Sequence, residues 1–272
     1  MTPDLRIQQA IVMRDARGVR VAARSDAFDE PEAERISVLF GDRAEGVACP
    51  VAHFACPFGK AHVAVVRVED RPGGALAFRF LVLARGLYQH LGDPFAISDR
   101  YAPNFDATGT LPEIAWPMEV LPPRTVAQLD AILQDGDGPL LLGAAQALID
   151  GNRVVLVRNE PAERALRDLW QLLPDRSRCE LWPATFAFSN DLGFSIAAGQ
   201  ALALKPGTLP EEAVRDYPQS HYELNLQLAI EMKDAAALQK LLARRTSDDT
   251  LRLGLYMLAF ALIVAAVLKF AV

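Results

Sequence analysis

Lys60-Ala-His-Val-Ala-Val-Val-Arg-Val-Glu69 and Ala75-Leu-Ala-Phe-Arg-Phe-Leu-Val-Leu-Ala84, separated by Arg71-Pro-Gly-Gly74, decide the fold class of this chain. Val63, Val65 and Val66 in the first segment, and Phe78, Phe80 and Val82 in the second, are β-branched or aromatic at largely period-two spacing. That pattern predicts two strands about a turn. Upstream, residues 5–13 and 19–23 flank Asp15-Ala-Arg-Gly18, a hairpin signal. Pro31 reads as the first helical residue of a short helix through Phe40, with Ile36, Leu39 and Phe40 inward. Residues 1–118 are therefore expected to form a β-rich N-terminal domain, mainly an antiparallel sheet.

Six prolines punctuate residues 91–123, and a boundary falls near 115–123. Beyond it, residues 125–134 read as a helix, Asp135-Gly-Asp-Gly138 as a break, and residues 140–149 as a second helix or apolar segment. Residues 153–158 suit a strand. Residues 161–173 suit a helix, opened by Pro161 and carrying Ala165, Leu166, Leu169, Trp170 and Leu173 on one face. Residues 181–188 and 194–204 read as strands and 211–215 as a short helix, which makes 119–218 a mixed α/β region. Residues 222–245 read as one long amphipathic helix with Leu224, Leu228, Ile230, Leu238, Leu241 and Leu242 apolar, so that 219–250 forms a helix and linker.

The last segment, residues 251–272, holds no charge between Arg252 and Lys269. At about 1.5 Å per helical residue it spans roughly the thickness of a hydrocarbon core. It is expected to be a tail anchor crossing the lipid bilayer, with Leu253, Phe260, Ile263 and Val267 in the span and Lys269 snorkelling to the far headgroups. Arg244, Arg245 and Arg252 at its near end would keep the N-terminal domain cytoplasmic, making this a single-pass membrane protein. The expected fold class is thus α+β: a mainly antiparallel N-terminal sheet, a mixed α/β second region, a long helix and a single C-terminal transmembrane helix.

Composition narrows the function classes. Of 272 residues, 28 are Lys or Arg and 34 are Asp or Glu, a net charge of -6, which argues against nucleic acid as a partner. Three cysteines do not make a disulfide framework, in keeping with a reducing compartment. The start of the chain lacks the basic and apolar stretches of a signal peptide.

The densest chemical cluster is Cys49-Pro-Val-Ala-His53-Phe-Ala-Cys56, with His62 beyond it. Two thiolates and two imidazoles would suit tetrahedral zinc, but the two cysteines lie farther apart than zinc motifs place them, and buried cysteines commonly have no ligand role. The same residues could supply a thiol nucleophile and its base, yet the surrounding residues match no nucleophile signature. No P-loop, dinucleotide fingerprint, calcium loop, G-x-S-x-G or H-E-x-x-H is present. No catalytic residue and no cofactor is therefore expected.

Two stretches resemble the bacterial GTPase-associated proteins, which occur in gene clusters with GTPases and are proposed to act in conflict or defence. One comprises Gln9-Ala10, Arg17-Gly18, the small-residue stretch to Ser25, and Cys56-Pro-Phe-Gly-Lys60. The other comprises Leu169-Trp170-Gln-Leu-Leu-Pro174, Arg178 and Thr185-Phe186. Val19 stands where the family often has His, and Phe78–Val82 lacks its Trp and His. The resemblance implies an α+β adaptor acting with a partner NTPase, and no catalytic residues. The functional expectation is a membrane-tethered cytoplasmic adaptor binding a partner protein, an NTPase among the candidates, in a conflict or envelope-associated system. The alternative is a membrane-anchored enzyme using the Cys/His region of residues 49–62.

Overall fold

The computed structural model describes residues 5–43, 46–200, 202 and 206–243. The first half contains β1 (Arg6–Asp15), β2 (Gly18–Arg24), α1 (Glu30–Leu39), β3 (Val51–Phe58), β4 (His62–Asp70), β5 (Leu76–Ala84), α2 (Arg85–Leu91), α3 (Pro94–Arg100), β6 (Gly109–Thr110) and β7 (Ile114–Ala115). The second half contains α4 (Val126–Asp135), α5 (Gly138–Ile149), β8 (Arg153–Val157), α6 (Glu163–Leu172), α7 (Asp175–Arg178), β9 (Pro183–Ala184), β10 (Ile196–Gly199), β11 (Thr208–Pro210), α8 (Glu211–Arg215), α9 (His221–Glu231) and α10 (Ala235–Leu242).

Helix starts follow local chemistry. Asp29, Asp93, Thr125, Asp137 and Asp234 accept backbone N–H bonds at the first turns of α1, α3, α4, α5 and α10. Proline stands in the first turn of α1, α3 and α5, where its missing N–H costs nothing.

The expected fold class needs correction. Instead of an antiparallel sheet followed by a separate mixed region, one mixed sheet of eleven strands runs through both halves in the order β11-β8-β10-β9-β3-β4-β5-β1-β2-β6, with β7 also on β1. The β1–β5 pairings are antiparallel, and β8, β10 and β11 pair in parallel. The join is short. Phe54 of β3 pairs with Ala184 of β9, Thr185 N–H donates to the His53 carbonyl at 2.8 Å, and His53 N–H donates to Thr185 Oγ1 at 2.8 Å.

An aromatic core fills one face across this join. Phe40 stacks on Phe54 at 5.4 Å and meets Phe78 edge-on at 5.5 Å, while Phe54 meets Phe194 at 5.5 Å. Leu87, Tyr88, Ile97 and Trp116 cover the other face of the N-terminal strands. The helices of the second half pack a separate core around Trp170 and Leu226 against β8 and β10.

The long helix expected over 222–245 is two helices. Lys233, at φ 53°, is the one non-glycine residue at positive φ among the described residues; it ends α9, and Asp234 caps α10. The expectation of a single-pass, tail-anchored membrane protein is not supported by the structure: among the described residues, no helix is long and apolar enough to cross a membrane. The residues expected to span the bilayer, Leu253, Phe260, Ile263, Val267 and Lys269, lie outside the described residues.

Candidate functional site

The Cys/His cluster is strand β3 and the chain leading into it. Alternation along β3 sends Ala52, Phe54, Cys56 and Phe58 into the aromatic core, and His53 to the opposite face with Ala55. Cys49 is buried in the same core as Cys56, its N–H bonded to Asp70 Oδ2 at 2.9 Å. His62 opens β4, opposite Phe58. The four residues are therefore not brought to one point, and among the described residues no three His, Cys, Asp or Glu side chains could share a metal ion. Burial pushes the Cys49 thiol up to about 12 and that of Cys56 higher still. Nucleophilic cysteines need the opposite shift and an open approach.

His53 instead joins a chain of polar and charged groups. Its Nδ1 lies 3.0 Å from Glu163 Oε2. Arg167 Nε donates to Glu163 Oε1 at 2.5 Å, and the Arg167 guanidinium grips Asp99 at 2.7 and 2.9 Å. Burial pushes the Glu163 carboxyl up, but His53 and Arg167 outweigh it and hold the group at about 2. His53 Nε2 is buried without a partner among the described residues. This chain of contacts ties α6 and α3 to the sheet.

One cavity, of about 560 Å³, lies between α2, the 120–124 segment, α7 and α10. Two buried arginines line it. Arg178 pairs with Asp93, both side chains under a tenth exposed. Arg124 Nη2 meets Asp175 Oδ1 at 2.5 Å, and its Nη1 donates to the carbonyls of Gln171 and Leu173. Burial, then the charge of Arg178, lowers Arg124 to about 10. Asp93 also accepts the Phe95 and Ala96 N–H groups that open α3, and Gln171 Nε2 at 3.2 Å. The cavity holds charge, but carboxylates of the same chain match it.

The exposed face of α9 differs. Leu224, Leu228 and Met232, four residues apart, are 49, 51 and 71% exposed and form one apolar ridge. Leu226, Ala229 and Ile230 face inward. A second cavity of about 450 Å³ opens beside the ridge, between α4, α5, α8 and α9. Glu223 lines it and is 5% exposed, yet its Oε2 has no hydrogen-bond partner among the described residues. Burial pushes the Glu223 carboxyl up, against a bond from Gln219.

Sequence reasoning named neither cavity. Asp93-Pro94 is a cap-and-proline signature that could have placed α3 and one wall of the larger one. The apolar ridge was read into a helix face, but leucine identity does not distinguish an inward stripe from an outward one. No family model matches the chain, nor does any curated protein or solved structure.

Proposed function

We propose that the chain is a non-catalytic adaptor that binds a partner protein through the exposed face of α9. The observation that carries this reading is the ridge of Leu224, Leu228 and Met232. Single exposed apolar residues are ordinary, but three in register on one helix make a contiguous patch suited to another apolar helix. The buried thiols of Cys49 and Cys56 offer no nucleophile to an enzyme reading. The resemblance to GTPase-associated proteins supports an NTPase as the partner's class.

The test is crosslinked capture of the full-length chain and of Leu228→Asp from cells. A stoichiometric partner lost in the variant, with the unfolding midpoint unchanged, is the expected result. The same partner retained by Leu228→Asp would overturn the reading. The stability of the variant should stay within about 0.5 kcal/mol, because the side chain is half in solvent already.

A further inference from the structure

At 3.6 residues per turn, Glu223, Gln227 and Glu231 sit on the flank of α9 next to the ridge residues Leu224, Leu228 and Met232. The apolar ridge therefore has an acidic border, and that border opens into the cavity. Asp130 and Glu231 also line it. Glu231 forms no ion pair among the described residues, and Asp130 accepts only a bond from Gln134 at 2.7 Å. The one cation in the lining, Arg215, is already taken by Asp137 at 2.8 Å and Glu211 at 2.9 Å. The cavity thus presents three carboxylates whose charge no side chain balances among the described residues. The floor is apolar, built from Leu133, Leu142 and Ile230.

A buried carboxylate oxygen left without a hydrogen bond costs free energy, and such groups are rare unless something outside the chain completes them. A partly apolar cavity with an unpaired acid in its lining fits a side chain with an aliphatic stem and a cationic head. A neutral donor could bond the oxygen but would leave the charge of the cavity's carboxylates unbalanced, and an acidic group would add to it.

We propose that this cavity receives the ammonium or guanidinium head of a lysine or arginine carried by the partner, at the flank of an amphipathic helix whose apolar stripe lies on Leu224, Leu228 and Met232. The inference rests on the adaptor reading and gives the partner a chemistry: a leucine-rich helix with a basic residue beside its stripe. The net charge of -6 favours approach of such a helix.

The experiment uses the full-length protein and two probes. The first is butylammonium, followed through the amide NMR signals of Gln219, Glu223 and Gln227. Saturable shifts in the wild type that vanish in Glu223→Gln are expected. No shifts, or equal shifts in the variant, would overturn the inference. The second probe is a helical peptide with a leucine stripe and one flanking lysine, compared with its Lys-to-Gln counterpart by fluorescence anisotropy. Against wild type the exchange should cost roughly tenfold in affinity; against Glu223→Gln it should cost nothing.

Peptide binding that Leu228→Asp abolishes, but that ignores the lysine, would sink the cation site and leave the adaptor face standing. Butylammonium binding without any peptide binding would make the site one for small amines and overturn the partner side chain. A change in oligomeric state caused by Leu228→Asp would make the face a contact between two copies. Peptide binding only after removal of residues 244–272 would make the chain's own segment the occupant. Either of these last results would overturn both readings.

Discussion

The two cavities invite comparison because both are bordered by buried charge. Around the larger one, Arg178 meets Asp93, Arg124 meets Asp175, and the Asp93 carboxylate also gathers two backbone N–H groups and Gln171. Only Arg178 Nε is left over. In the smaller one, Glu223 keeps an oxygen that nothing in the described chain meets, and the arginine in the lining is committed elsewhere. Size does not separate a binding site from a structural lock here; the balance of charge does. A network closed within the chain belongs to the fold. An open one points outward.

Four substitutions break or sharpen this contrast. Arg178→Ala strands Asp93 as an unpaired buried charge and should cost about 3–5 kcal/mol in urea denaturation. A near-neutral result would show that the arginine cavity is not a lock. Gly143→Ala attacks the wall of the smaller cavity. A Cβ there would come 2.0 Å from the Val214 carbonyl oxygen, so α5 and α8 must separate, at about 1–3 kcal/mol. An unchanged urea midpoint would contradict that packing.

Glu163→Gln probes the closed chain to His53. The folded carboxyl is held at about 2, below its ordinary 4.5, so its stabilisation is complete above about 4.5 and disappears as pH falls through 2. The variant should be less stable than wild type at neutral pH, by no more than about 1 kcal/mol because a third of the side chain is exposed. The two unfolding curves should converge by pH 2.

Glu223→Gln should do the reverse. Burial raises this carboxyl, so its ionisation opposes folding as pH rises through the raised value. The variant should melt higher than wild type at neutral pH, and the gap should close in acid. A melting temperature that falls at neutral pH would mean that Glu223 is already satisfied within the chain. A gain in stability joined to a loss of binding is the expected mark of a functional charge.

Much of the secondary structure was legible. The alternation at Val63–Val66 and Phe78–Val82 marked β4 and β5, and proline near the helix start marked α1 and α6 in rough outline. β3 was not legible. It is buried on both faces, so it shows no alternation, and it carries Pro57. Proline is tolerated because β9 pairs with β3 only at Phe54, leaving that side of the strand open at Pro57. The residues of β3 therefore looked like a metal or thiol cluster. The turn at Lys233 was hidden by leucines on both sides of it, although Asp234 was a cap in plain view. The candidate site was illegible for a different reason. Whether Glu223 has a partner depends on α4, α5 and α8, which only the fold assembles.

The one-residue join between β3 and β9 also sets an order in time. His53 and Thr185 are 132 residues apart in the chain, so during synthesis β3 is made long before the strand that covers it. At about 5–20 residues per second, that delay is roughly 7–26 s. Throughout it, the hairpins β3–β4–β5 can pair locally while the outer edge of β3 stays bare, and a bare strand edge is a template for pairing with other chains. Pro57 sits on that strand and removes one donor from it, which makes the edge poorer at recruiting a second nascent chain before its own partner arrives.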